Sequence, residues 1–277
     1  MVEIGQYNRL RVLKQVDFGL YLEGDTLGEI LLPKRYTTAD MKIGDEIDIF
    51  LYRDSEDRLT ATTDHPIATV GECESFKVAA VNKAGAFLDW GLPKDLLVPF
   101  NEQRKPLSEG EVCVACVYLD GHTSRIAAST RLDEFLSEES DNFTPGQQVS
   151  LLICAHTDLG LKAVINSTHL GMVFDSDLLQ PLKVGEKLTG YIKHVREDLR
   201  IDLAIQPPAV ETRGDLCSQI LEYLHASDGE STLTDKSTPD AIFAQFGVSK
   251  SNYKKALGQL YKRKQIRLGN KVIELVR

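Results

Sequence analysis

The chain has 277 residues, 42% of them hydrophobic and 26% charged, an ordinary globular composition with length enough for two or more domains. No stretch approaches the roughly 20 apolar residues that a membrane-spanning helix needs. The formal charge of −9 argues against a uniformly basic, nucleic-acid-coated protein, yet it is unevenly divided: Gly247 to Arg277 holds nine Lys/Arg against one acid, Glu274, and the remainder holds 23 basic and 40 acidic groups. That asymmetry predicts a basic C-terminal binding surface on an acidic body.

In chain order, the opening MVEIGQYNRL lacks both the basic start and the apolar core of a secretory signal, which predicts a cytoplasmic protein. A repeat then dominates the first two hundred or so residues. Glycines 5, 19 and 44 recur 66 positions later at 71, 85 and 110, and again 75 positions later at 146, 160 and 185. Periodicity of this kind means repeated structural units. In each copy the third glycine opens a strand-like run (GDEIDIFLY, GEVCVACVY, GEKLTGYIKHV), as a turn exit would. Gly19, Gly85 and Gly160 sit inside strand-like runs, where glycine predicts a bulge or sharp bend. Each copy reads as five short strands in a small unit. That predicts a mainly β fold of three tandem five-stranded, partly open Greek-key barrels of the oligonucleotide-binding type, over residues 1–66, 67–132 and 146–208. Units this small bury too little surface alone, so neighbouring copies are expected to pack together.

Copies one and two are joined tightly through DHPIATV, whereas LDEFLSEESDNFTP, with five acids, predicts a surface helical turn and linker before copy three. The prolines of QPPAVE end copy three. After them the hydrophobic period changes from two to about 3.6. Leu216, Ile220, Leu221 and Leu224 share one helical face. Thr238-Pro239-Asp240 starts a short helix that stops at Gly247. Ser249 caps a longer basic helix with an apolar face of Tyr253, Ala256, Leu257, Leu260 and Tyr261. QIRLGNKVIEL then reads as two strands turning at Gly269-Asn270. Residues 212–277 are thus expected to form a small α+β winged helix-turn-helix.

The candidate binding residues follow from strand parity and charge. If Leu22 and Leu88 fill their barrels, Tyr21 and Phe87 face outward, where an aromatic beside basic groups is a stacking platform for bases. In copy one the platform is Phe18, Tyr21, Lys34 and Arg35, with Arg58 at its margin; in copy two it is Phe87, Trp90, Phe100 and Arg125, with Arg131 at its margin. The same aromatics would equally serve to cover barrel seams. Copy three has no aromatic in GLKAV and is expected to be structural. In the winged helix, Lys250, Lys254, Lys255, Lys262, Arg263 and Lys264 lie on or beside the recognition helix and would neutralise phosphates. The competing reading is a solvated basic face or a protein-docking face.

Other chemistry is poorly represented. Five scattered cysteines do not look like a disulfide framework, and Cys113 and Cys116, three apart on a strand, point to opposite faces as buried apolar residues. The six histidines never pair at metal spacing, and no phosphate loop, nucleophile elbow or HExxH motif occurs. The acidic turn Asp54, Glu56, Asp57 is better explained as a polar hairpin loop than as a cation site. A non-enzymatic protein with no cofactor or metal is expected.

The pattern of glycine, aromatic strand, LLVP, and Asp120…Arg125-Ile126…Ser129 resembles the S1 RNA-binding repeat, and Phe18 and Tyr21 match its two aromatic positions. Copy two retains Phe87 but has Ala84 at the first position, and Pro33 and Pro99 stand where that repeat commonly has histidine. Over essentially its whole length the chain also resembles the bacterial conserved virulence factor B family, through LLPKR (31–35), GDEIDIFLYRDSEDRLTATT (44–63) and FGVSKSNYKKALGQLYKRKQI (246–266). The resemblance implies a non-catalytic regulatory protein that binds RNA, most readily single-stranded. DNA held by the winged helix, or a protein partner on a scaffold, is the alternative; a membrane is not expected as a partner.

Overall fold

The computed structural model describes residues 2–121, 123–178, 181–207, 212–227, 229–269 and 272–276. The first unit holds β1 (Tyr7–Val16), β2 (Gly19–Glu23), β3 (Glu29–Pro33), β4 (Glu46–Arg53) and β5 (Leu59–Thr62). The second holds β6 (Cys73–Asn82), β7 (Gly85–Leu88), β8 (Leu96–Pro99), β9 (Val112–Leu119) and β10 (Ile126–Ser129). The third holds β11 (Gln148–Thr157), β12 (Gly160–Ile165), β13 (His169–Phe174), β14 (Lys187–Val195) and β15 (Ile201–Ala204). Units one and three are closed barrels in the order 1-2-3-5-4, sealed by a parallel pairing of third and fifth strands. Unit two has the same order but stays open between β8 and β10.

The repeated glycines have a shared backbone cause. Gly44, Gly110 and Gly185 all lie at positive φ and each donates to the first strand, at Val12, Val78 and Ile153. Gly19, Gly85 and Gly160 begin the second strand so close to the third that a Cβ would run into the carbonyl oxygen of Leu32, Val98 or Val173. The expected bulge lies elsewhere. The register shifts fall in the first strand of each copy, between Val12 and Lys14, Val78 and Ala80, and Ile153 and Ala155. An extra residue there coils the long first strand so that it can pair with both the second and the fourth.

The barrels are fused through their outer faces. On β4, Ile49 and Leu51 fill barrel one while Phe50 and Tyr52, of opposite parity, are buried in the cluster of barrel two. On β9, Cys113, Ala115 and Val117 fill barrel two while Val114 and Cys116 join Leu152, Val164 and Leu170 of barrel three. Leu132 and Leu136 of the segment expected to be a surface linker are buried in that same seam, because the middle barrel exposes apolar side chains that the connecting chain covers. Cys113 and Cys116 do face opposite ways, but the expectation of no disulfide is corrected: Cys73 and Cys116 are bonded, since strand register sets them directly opposite on β6 and β9. Burial pushes the Cys113 thiol, and likewise that of Cys154, up to about 12, so both stay protonated.

The C-terminal unit is α1 (Thr212–Ala226), β16 (Glu230–Ser231), α2 (Pro239–Phe246), α3 (Lys250–Lys262), β17 (Ile266–Leu268) and β18 (Ile273–Leu275). Thr238 and Ser249 cap α2 and α3 by accepting from the N–H groups of Ala241 and Asn252, and Gly247 ends α2 in the left-handed conformation. Leu216, Ile220 and Leu224 pack on Tyr253, Ala256, Leu257 and Leu260. Two expectations change. The sheet has three strands, because β16 adds to β18. Tyr261 is 56% exposed, not part of the apolar face, because it stands about 100° round the helix from buried Leu260. The expected turn residue Asn270 lies outside the described residues.

Candidate nucleic-acid interface

In barrel one, strand parity places Leu20 and Leu22 inside and Tyr21 between them on the outer face. Phe18, in the turn before Gly19, is 57% exposed and stands edge-on to Tyr21 with ring centroids 6.3 Å apart. The Lys34 N–H donates to the Phe18 carbonyl at 2.8 Å, which sets exposed Lys34 and Arg35 on the same rim. Lys14 lies 4.7 Å from the Tyr21 ring centre and is paired with Glu29; Arg35 lies over the Tyr36 ring at 4.6 Å. Phe18, Tyr21, Lys34 and Arg35 are thus brought together. Arg58 is held by Asp54 and Glu56.

Barrel two does not assemble the second platform. Phe87 is half-buried and Phe100 is 54% exposed, but Trp90 is buried. Trp90 is three residues from Phe87 and so has the parity of Ala86 and Leu88. Its ring lies edge-on to Phe50 of barrel one at 5.6 Å, and its indole N–H donates to the Ala68 carbonyl at 2.9 Å. Trp90 is therefore removed from the exposed stacking set: it is the glue between barrels one and two.

Arg125 works at that joint as well, making two hydrogen bonds to the Asp57 carboxylate at 3.0 and 3.1 Å. The Arg125 side chain holds the Asp57 carboxyl below its ordinary range. Beside it, half-buried Lys94 donates to the carbonyls of Arg53 and Asp54 at 2.9 and 2.8 Å, and burial lowers its pKa. The acidic turn of barrel one is thus the docking point for barrel two. Arg131 is paired with Glu134.

Barrel three carries a groove that its sequence was not expected to have. Lys162 occupies the position of Tyr21 and Phe87, and Phe174 that of Pro33 and Pro99. A cleft of about 260 Å³ is lined by Lys162, Met172, Phe174, Arg196 and Arg200, with Leu159, 64% exposed, at its edge. The Arg196 guanidinium lies 5.5 Å from the Phe174 ring centre and is paired with Asp202. The aromatic has moved from the second strand to the third, a shift readable by carrying the repeat offset to the strand end.

In the winged helix, Lys254, Lys255, Lys262, Arg263 and Lys264 are exposed and Lys250 is half-buried. None of the six forms an ion pair with a described residue, whereas Lys14, Arg58, Arg125 and Lys162 of the barrels all do. A cleft of about 270 Å³ is lined by Ser249, Asn252 and Lys255 from the start of α3 and by Tyr191 and Lys193 of barrel three. No described helix is long and apolar enough to cross a membrane.

Comparison with known proteins agrees with this architecture. Residues 4–64 match the S1 domain, and residues 218–275 match the CvfB-like winged helix domain. Conserved virulence factor B of Staphylococcus epidermidis is 28% identical over 246 residues, covering 86% of this chain and 82% of its own; the Staphylococcus aureus protein of that name is 25% identical with the same coverage. Over most of its length the chain is thus similar to the conserved virulence factor B proteins, and it carries their type of winged helix domain. The Bacillus subtilis protein YitL is 29% identical over 273 residues, covering 93% of this chain and 89% of its own. A solved multidomain protein with nucleic acid binding domains from Streptococcus pneumoniae is 25% identical, with a TM-score of 0.43 over 99% of this chain and 98% of its own. With an S1 domain at one end and a winged helix at the other, the protein is a modular nucleic-acid-binding protein.

Proposed function

We propose that this protein is a member of the conserved virulence factor B family and a cytoplasmic, non-catalytic regulator that binds single-stranded RNA. The observation that carries the reading is the exposed Phe18 beside Tyr21, Lys34 and Arg35 on the outer face of the S1 barrel. A ring held out in water on a rim with basic groups is suited to a base that is free to leave its stack, and unstacked bases belong to single strands. The α3 lysines supply the electrostatic grip, and linking several modest sites on one chain raises affinity through effective concentration. Barrel two contributes by holding the platform and the third barrel in fixed relation through Trp90, Arg125 and the seam of Leu132 and Leu136.

Duplex DNA on the winged helix is the second reading, favoured by the exposed cations of α3 that have no described carboxylate partner. Binding of labelled single-stranded RNA and duplex DNA to the full chain across a salt series separates the two. The proposal expects RNA to bind more tightly, with affinity falling steeply as salt rises. Preference for the duplex would favour the second reading. Binding to neither nucleic acid at low salt would leave the aromatics and lysines to a protein partner.

A further inference from the structure

The exposed side of α3 contains a glycine that the fold does not require. Gly258 lies inside the helix Lys250–Lys262, and glycine is among the poorest residues for a helix interior. Its backbone is not in the left-handed region, and a Cβ built on it would meet nothing within 4 Å. The glycines inside the barrel strands differ: Gly19, Gly85, Gly160, Gly171 and Gly190 are each crowded by backbone or side chains at the Cβ position. Neither conformation nor internal packing therefore explains Gly258.

Its surroundings point outward. On a helix the surface neighbours of a residue are those three and four positions away. For Gly258 these are Lys254, Lys255, Tyr261 and Lys262, all exposed. None of these lysines is paired with a described carboxylate, and Tyr261 is 56% exposed. The missing side chain thus leaves an open notch over the helix backbone, with three lysines and one tyrosine at the neighbouring positions of the helix surface. An apolar partner would leave three ammonium groups without counter-charge, whereas a phosphate answers all three.

Building on the nucleic-acid reading above, we propose that the Gly258 notch seats a backbone phosphate of the bound nucleic acid. Glycine lets the strand approach the helix backbone, Lys254, Lys255 and Lys262 neutralise the phosphate, and Tyr261 lies against the adjoining sugar or base. The shared chemistry is the phosphodiester, which single-stranded RNA and duplex DNA both offer.

The test uses the full chain and the variants Gly258→Ala and Gly258→Leu, which add a side chain that favours helix. Anisotropy with labelled single-stranded RNA of roughly 12 nucleotides, and with a duplex DNA of the same length, reads affinity at low salt. Thermal melting reads stability. The proposal expects both variants to melt at or above the wild-type temperature, with Gly258→Ala rising by roughly 4 °C. Binding should meanwhile weaken by about tenfold in Gly258→Leu and by less in Gly258→Ala. The probe that is lost identifies which backbone occupies the notch. Unchanged binding in both variants, with the wild type binding well, overturns the notch and leaves the wider reading standing. A fall in melting temperature also overturns it, since the glycine would then serve the fold. A wild type that binds neither probe overturns the wider reading and the notch with it.

Discussion

The barrels and the winged helix use their charged and aromatic residues in opposite ways. In the barrels many cations are committed within the molecule, among them Lys14 to Glu29, Arg125 to Asp57, Lys162 to Glu138 and Lys187 to Glu74, while Lys34 and Arg35 beside Phe18 stay exposed. Large aromatics there are often structural, and Phe50, Tyr52 and Trp90 meet across the joint between barrels one and two. In the winged helix the cations on α3 have no described carboxylate partner, and Tyr261 points into solvent beside them. The difference teaches that an acidic body need not repel a nucleic acid. The body keeps its net negative charge, and a cluster of cations without a described carboxylate partner is gathered at the C-terminal end. Phe18 and Phe100 are barrel aromatics left outside, and the counterpart of Phe18 in barrel two is Ala84.

Four experiments would break or sharpen that comparison. The largest effect is expected from Trp90→Ala, which empties the joint between barrels one and two and should cost about 3–5 kcal/mol, as large-to-small core changes do. Chemical denaturation would measure it. A loss under about 1 kcal/mol would mean that the joint is not held by this ring. Second, reversing Lys254 and Lys262 together to Glu should weaken RNA binding by roughly a hundredfold at low salt and flatten the salt dependence, with melting unchanged. An unchanged salt slope would remove α3 from the interface. Third, Phe18→Ala should cost about 1–3 kcal/mol in single-stranded RNA affinity and leave duplex DNA unaffected. Equal losses for both probes would argue against base stacking there.

The smallest effect concerns the clamp between barrels one and two. Arg125 depresses the Asp57 carboxyl, so its contribution is complete above the ordinary carboxylate range and is lost as pH falls through the depressed folded value. The melting difference between wild type and Asp57→Asn should therefore be small near neutral pH and shrink further in acid. A gap that widens as pH falls would contradict the assignment. The pair is largely exposed, so salt should also diminish it.

Much of this molecule is legible in the chain because its signals are local. Three glycines per copy mark turns that need positive φ or close strand approach, and those demands do not depend on what lies across the seam. Period-two alternation places Leu20, Leu22, Ala86 and Leu88 inside the barrels, and Thr238, Gly247 and Ser249 delimit the helices of the wing through their own hydrogen bonds and backbone angles. The charge imbalance of the last thirty residues is likewise visible without coordinates. What tertiary structure alone decides is which outer faces remain outside. Phe50 and Cys116 sit on barrel exteriors, yet both are buried because another barrel lies against them. Register alone sets Cys73 opposite Cys116, and β16 joins the wing only because β18 presents it an edge. Pairing of exposed charges is also long-range, with Arg125 finding Asp57 in the preceding repeat, while the α3 lysines keep no described carboxylate partner. A strand's alternation tells which side chains face away from its own barrel, and only the packing of the next unit tells whether that direction is water or core.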